Sequence, residues 1–164
     1  MKTVLAPIDF SLVSERVIGE ATVIARAIGA RLVLLHVVQL PAVVGTGVTE
    51  TELPKGFCLQ AEKDASIRLA DLQRQLRSDG VTAHVIHEVG RPGEKIVAQA
   101  ERLEADYLVL GSHGHGAFYD LIVGSTTTRV LKEARCIVAI VPPAETKSRR
   151  AKAPASPRSK SLRT

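Results

Sequence analysis

Two hydrophobic periods alternate along the chain and set out its elements in order. Thr3 to Ile8 is a short apolar run, rich in β-branched side chains, that ends among Pro7 and Asp9 and reads as a buried strand running into a loop. Val17, Ala21, Ile24, Ala25 and Ile28 then recur on one face of a helix, with Ser11 or Ser14 as its N-cap and Gly29 where a C-terminal cap belongs. Arg31 to Val38 is almost continuously apolar, the pattern of a central parallel strand covered on both faces. A second helix, over about Leu59 to Ser78, carries Ala65, Leu69, Leu72 and Leu76 at helical spacing and stops at Asp79-Gly80. Between the two, Gln39 to Phe57 has two prolines, three glycines and no sustained period, and is expected to be a long, mobile connection.

Val81 to Val89 alternates: Val81, Ala83, Val85, His87 and Val89 point one way and Thr82, His84, Ile86 and Glu88 the other, as in an edge strand. Pro92 suits the first turn of a third helix that continues through Ile96, Val97, Ala100 and Leu103. Asp106 to Leu110 is a fourth strand, entering the segment Gly111-Ser112-His113-Gly114-His115-Gly116. Gly124-Ser125-Thr126 opens a last helix, with Val130, Leu131 and Ala134 inward and Ser125 doubling as its cap. Cys136 to Val141 is a fifth strand, stopped by Pro142-Pro143. Strands and helices alternating at these intervals predict an α/β fold with a doubly wound, five-stranded parallel sheet, since each crossover must be right-handed and lie on a face.

Composition narrows the picture. The 164 residues, 45% of them hydrophobic, suffice for one globular domain and rule out a multidomain enzyme. Apolar stretches such as Arg31 to Leu40 fall far short of the roughly 20 residues that cross a bilayer. No signal-peptide pattern follows Met1 either, so a soluble, cytoplasmic protein without membrane association is expected. Cys58 and Cys136 lie far apart without C-x-x-C spacing and indicate neither a disulfide framework nor a zinc knuckle. Aromatic residues make up only 3%, too few for base-stacking sheets.

The net charge of +5 changes meaning once it is divided by position. Residues 144–164 hold seven of the 22 basic residues and one of the 17 acidic ones, which leaves fifteen against sixteen in residues 1–143. The body has no basic field and its charge does not support a nucleic-acid-binding fold. The tail, with a single leucine among Ala, Pro, Ser, Lys and Arg, is expected to be disordered. It reads as a solvated extension, with contact to nucleic acid or another acidic partner as the sharper alternative.

In an open α/β sheet, ligands bind outside the carboxyl ends of the strands where the strand order reverses. Asp9 follows the first strand, Val37 and Val38 lie at the end of the second and Gly111 follows the fourth, so these positions converge if the first and fourth strands are neighbours. Glycines let a backbone approach a ligand closely, and free N–H groups at a glycine loop and at the start of the Gly124-Ser125 helix suit an oxyanion. The loop is not a Walker A sequence, because no lysine follows its glycines, and Pro7-Ile8-Asp9-Phe10-Ser11 lacks the glycines of a Rossmann fingerprint. What stands here is G-x2-G-x9-G-S, filled by Gly111, Gly114, Gly124 and Ser125.

With that pattern, the turn Pro7-Ile8-Asp9-Phe10-Ser11 (P-x-D-x-S) and Leu35-His36-Val37-Val38 (L-H-V), the chain resembles the universal stress protein family over residues 1 to about 141. The resemblance implies a Rossmann-like sheet of order 3-2-1-4-5 over a nucleotide-binding domain spanning 1–143, and a homodimer formed largely through the last strand. It implies ATP, or AMP or another adenine nucleotide, as ligand, with magnesium as a bridging ion. Pro7 and Asp9 would lie near the adenosine moiety, the Val37 backbone would read the adenine edge, and Gly111, Gly114, Gly124, Ser125 and Thr126 would hold the phosphates and ribose. The connection from Gln39 to Phe57 and the basic tail depart from the family pattern.

Each residue also has a plainer reading. Asp9 could cap the first helix, and Ser125 and Thr126 could be helix caps alone. His113 and His115 read as solvated loop residues, His36 as a satisfied core histidine, Cys136 as inert, and Cys58 as an exposed thiol without an activating partner beyond Lys55. No residue looks like a dedicated hydrolytic base, and Arg129 is the nearest cation to the phosphate-facing helix, so turnover is expected to be slow or absent, below about 1 s⁻¹. The functional expectation is a nucleotide-dependent stress-response switch. Its alternatives are an interaction module that uses its dimer surface or tail without nucleotide, and an adenylate-forming or hydrolytic enzyme, for which the chain has little room to build a second pocket.

Overall fold

A computed structural model describes residues 1–39, 55–112 and 124–143, with only the backbone described over 55–58. The elements run β1 (Thr3–Ile8), α1 (Leu12–Ile28), β2 (Arg31–Val38), α2 (Lys55–Ser78), β3 (Ala83–Val89), α3 (Pro92–Arg102), β4 (Tyr107–Gly111), α4 (Ser125–Glu133) and β5 (Ile137–Val141). The strands form one all-parallel sheet of order β3-β2-β1-β4-β5, as the sequence resemblance implied. β1 and β4 are neighbours, paired through Val4 with Tyr107 and Leu5 with Leu108, so the chain turns to opposite sides of the sheet on leaving β1 and β4. That reversal opens a crevice at the carboxyl ends of those two strands.

β1 occupies the centre, and its side chains alternate between two cores. Val4 and Ala6 pack with Val17 and Ala21 of α1 and Leu69 of α2. Leu5 packs with Val33 and Leu108 from the sheet, Ile96 of α3 and Val130 of α4. Val4, Leu5 and Ala6 are wholly inaccessible, which accounts for their unbroken apolar character in the sequence. α1 ends on Gly29, whose φ of 64° is left-handed and whose N–H closes onto the last turn, as its place after Ile28 suggested.

Three expectations are corrected. α2 begins at Lys55 rather than near Leu59, so the connection expected over Gln39 to Phe57 gives up its last three residues to helix; residues 40–54 lie outside the described residues. Leu131, expected inward, is 49% exposed, while Val130 beside it is fully buried. α4 has nine residues and crosses the sheet with a narrow buried stripe of Thr127 and Val130, too narrow to take in their neighbour. Ser125 is not the cap of α4: that position belongs to Gly124, and Ser125 is the first helical residue. No helix among the described residues is long and apolar enough to cross a membrane. The tail over 144–164 lies outside the described residues.

Candidate functional site

A cleft of about 570 Å³ lies across the carboxyl ends of the strands, within the size range of small-molecule sites. Its walls bring together Pro7, Asp9, Val37, Gly111, Gly124, Ser125 and Thr126, all of the expected site residues except Gly114, which with His113 and His115 lies outside the described residues.

The side of the cleft at β4 is built from backbone. The Gly124 N–H donates to the Ser112 carbonyl at 3.5 Å, the Ser112 N–H donates to Val141 at 2.9 Å, and the buried Thr127 hydroxyl donates to the Gly111 carbonyl at 3.2 Å. These bonds bring the first turn of α4 to the end of β4. Gly124, at φ −60° and ψ 159°, caps that turn without any side-chain hydrogen bond. The first N–H groups of a helix have no partner within it and carry the positive end of its dipole, so an uncapped turn that faces a cleft is a donor site for an oxyanion. Glycine is not required here by its backbone angles, and among the described residues a Cβ at Gly124 would meet only the Ser112 carbonyl oxygen, at 4.0 Å.

At β1, Asp9 is held in place locally. Its Oδ1 accepts the Ser11 N–H and the Ser14 hydroxyl, each at 3.0 Å, and its own N–H donates to Ser14 Oγ at 3.3 Å. Asp9 is thus not the cap of α1, a position held by Ser11; its carboxylate organises the turn that enters the helix while standing in the cleft wall. Ser11 occupies the N-cap position of α1, but its hydroxyl makes no capping bond and is buried without a partner; Ser14, the other expected cap, serves Asp9 from inside the helix.

Between Asp9 and Ser11, Phe10 has φ 59°, a left-handed conformation that costs a non-glycine residue about 1–3 kcal/mol. Its ring has two neighbours. The His36 ring lies at a centroid distance of 4.5 Å, tilted by 43°, and the Arg68 guanidinium lies 4.1 Å from the centroid. His36 Nδ1 donates to the Ile8 carbonyl at 2.9 Å, which satisfies it as expected, yet the residue is only half-buried and lines the cleft instead of the core. Burial pushes its pKa down from 6.5, and the nearby Arg68 adds to that, so the ring is held in its neutral form.

Phe10, Arg68 and Thr127 were not anticipated as cleft residues. Thr127 had a signal in its place within the threonine run that opens α4, whereas Arg68 on an exposed helix face had none. Arg129, the cation nearest the phosphate-facing helix in sequence, does not line the cleft. It reaches instead to Glu94 on α3 at 2.9 Å and to Glu133 at 3.1 Å. Burial raises the pKa of the half-buried Cys136, in keeping with an inert thiol. Among the described residues no three His, Cys, Asp or Glu side chains gather as a metal site.

A doubly wound α/β domain with a crevice at its switch point, walled by a Pro-x-Asp turn and an uncapped helix after β4, defines the Rossmann-like class of α/β proteins. Within that class, the sequence profile of the universal stress protein family matches residues 1–142, and the chain belongs to that family. A universal stress protein of Thermus aquaticus is 33% identical over 141 residues, covering 85% of this chain and 98% of the other. Universal stress protein MJ0577 of Methanocaldococcus jannaschii is 26% identical over 152 residues, covering 85% of this chain and 94% of the other. The solved MJ0577 structure superposes with a TM-score of 0.75 over 88% of this chain and 98% of that one. Two structures further away in sequence share the fold. One is a universal stress protein in complex with cAMP, 22% identical with a TM-score of 0.64, over 87% of this chain and 98% of that one. The other is an Arabidopsis thaliana family member with AMP bound, 16% identical with a TM-score of 0.61, over 88% of this chain and 93% of that one.

Proposed function

We propose that this protein is a cytoplasmic, homodimeric adenine-nucleotide-binding switch of the stress response, with slow or no ATP hydrolysis. The observation that carries the reading is the uncapped first turn of α4, opening at Gly124 onto the same cleft as Asp9 and Val37. In this reading the amides of that turn and the Gly111 and Gly114 backbone take phosphoryl oxygens, with the Ser125 and Thr126 hydroxyls adding short donors. Asp9 accepts from ribose or base donors beside Pro7, and the Val37 backbone reads the adenine edge. The family members solved with cAMP and AMP support an adenine nucleotide as the occupant.

ATP is the form that would bring magnesium with it. The ion would be bridged by phosphate oxygens and complete its shell with water, which needs little from the protein. Hydrolysis requires a group that orients water and a cation at the transferring phosphoryl group. The engagement of Arg129 by Glu94 and Glu133 supports slow turnover. The dimer is supported by β5, an edge strand on which Ile137 and Ile140 stand exposed with an open backbone ladder beside them. The competing reading is a nucleotide-independent interaction module.

Native mass spectrometry of the purified protein, followed by denaturation and identification of released small molecules, tests the reading. Two chains carrying adenine nucleotide are expected. A protein that arrives empty and also fails to bind added ATP with magnesium would leave the interaction module standing.

A further inference from the structure

Arg68 is the one lysine or arginine among the described residues that line the cleft, and the nucleotide chemistry above leaves it unused. Asp64, one turn earlier on α2, stands in the acid-before-base order that favours an ion pair. Asp64 Oδ1 instead accepts from Gln60 Nε2 at 2.8 Å, and the Arg68 guanidinium lies over Phe10. Among the described residues Arg68 makes no hydrogen bond or ion pair, and the planar edge that carries its donors is committed to none of their groups. The cation–π contact with Phe10, itself in ring contact with His36, holds the guanidinium at the cleft wall.

The topology fixes where such a cation can act. The α4 turn stands at β4 and the Phe10–His36 stack at β1 and β2, two strand spacings, or about 10 Å, from β4 to β2. Asp9 lies between them at the end of β1. A phosphate chain running from α4 to Arg68 would pass the Asp9 carboxylate against like charge, whereas a ribose there would offer it hydroxyl donors. Beyond the ribose the two faces of the sheet diverge: Val37 packs with the α3 and α4 layer, and Phe10 with the α1 and α2 layer. A ligand centred on ribose thus finds three separate destinations, α4 for a 5′-phosphate, Val37 for the base, and Arg68 for a further anionic substituent.

We propose that Arg68 binds a second phosphoryl group carried on the 2′ or 3′ oxygen of the ribose, so that the cleft selects a nucleoside bisphosphate over a monophosphate. This rests on the nucleotide-binding reading above. Arginine is suited to the task because its fork donates two parallel bonds to one phosphoryl group.

Isothermal titration of the full chain with AMP, ADP, adenosine 2′,5′-bisphosphate and adenosine 3′,5′-bisphosphate, for wild type and Arg68→Gln, tests it. Glutamine keeps the helix propensity of this exposed position. One bisphosphate is expected to bind about tenfold tighter than AMP, and tighter than ADP, which adds similar charge in a chain. The bisphosphate that gains identifies the ribose oxygen. Arg68→Gln is expected to remove that gain while leaving the AMP affinity within about twofold. Bisphosphates that bind no tighter than ADP, or a gain that survives Arg68→Gln, would overturn the proposal while leaving AMP binding intact. Failure of every nucleotide to bind wild type would instead overturn the nucleotide reading itself, and the role of Arg68 with it.

Discussion

Replacing Gly124 by aspartate sets stability against binding. Gly124 occupies the N-cap of α4 with extended backbone angles that any residue adopts, and its surroundings admit a Cβ 4.0 Å from the Ser112 oxygen. Aspartate there would accept the N–H of Thr126 or Thr127, the bond that the native helix start lacks, and place a negative charge at the positive end of the helix. Capping and dipole together contribute about 0.3–1 kcal/mol, so the free protein should melt about 1–4 °C higher. The same carboxylate occupies the donors an oxyanion needs and repels it. Losing one or two charge-assisted hydrogen bonds, each of about 1.5–3 kcal/mol, weakens nucleotide binding by about tenfold or more. Differential scanning fluorimetry of the ligand-free protein, paired with calorimetric titration of AMP and of ATP with magnesium, reads both quantities. A Gly124→Asp protein that melts higher and still binds nucleotide like wild type would refute the placement of the phosphate at α4. One that melts several degrees lower would refute the claim that this glycine is there for the ligand rather than for the fold.

Leu108→Ala, at a wholly buried position on β4 in the core beneath α3 and α4, should cost about 2–5 kcal/mol in urea unfolding without changing the m-value. Lysine at both Ile137 and Ile140 should convert a dimer to a species of the 17.6 kDa chain mass in sedimentation velocity, with far-UV circular dichroism unchanged; a persistent dimer would remove β5 from the interface. Protonation of His36 opposes folding, because its folded pKa lies below the ordinary 6.5 and the unfolded chain therefore binds the proton more readily. Stability should consequently fall as the pH drops below about 6.5, and His36→Gln should flatten that part of the profile; an unchanged slope would dissociate it from His36.

The fold was legible because its signals are local. The apolar run at Thr3 to Ile8, the spacing of Val17, Ala21 and Ala25, the cap at Gly29 and the helix start at Pro92 each follow from the backbone period and the conformational limits of single residues. Where burial depended on how wide a stripe one helix presents to the sheet, as at Leu131, periodicity alone erred. The start of α2 at Lys55 was hidden by Pro54 and Gly56, turn formers that here stand just before and inside a helix start.

For the site, the sequence by itself determined which segments end at the carboxyl edge of a parallel sheet, and hence that Asp9, Val37, Gly111 and Gly124 could meet. It fixed these because strand direction and the positions of glycine and proline are properties of neighbouring residues. Only the tertiary structure decided that Arg129 is drawn off to Glu94 and that Arg68 lies over Phe10 in the cleft instead of pairing with Asp64. A charged side chain on an exposed helix carries no sign of its partner in the local sequence, since that partner is chosen by the packing of elements far apart in the chain.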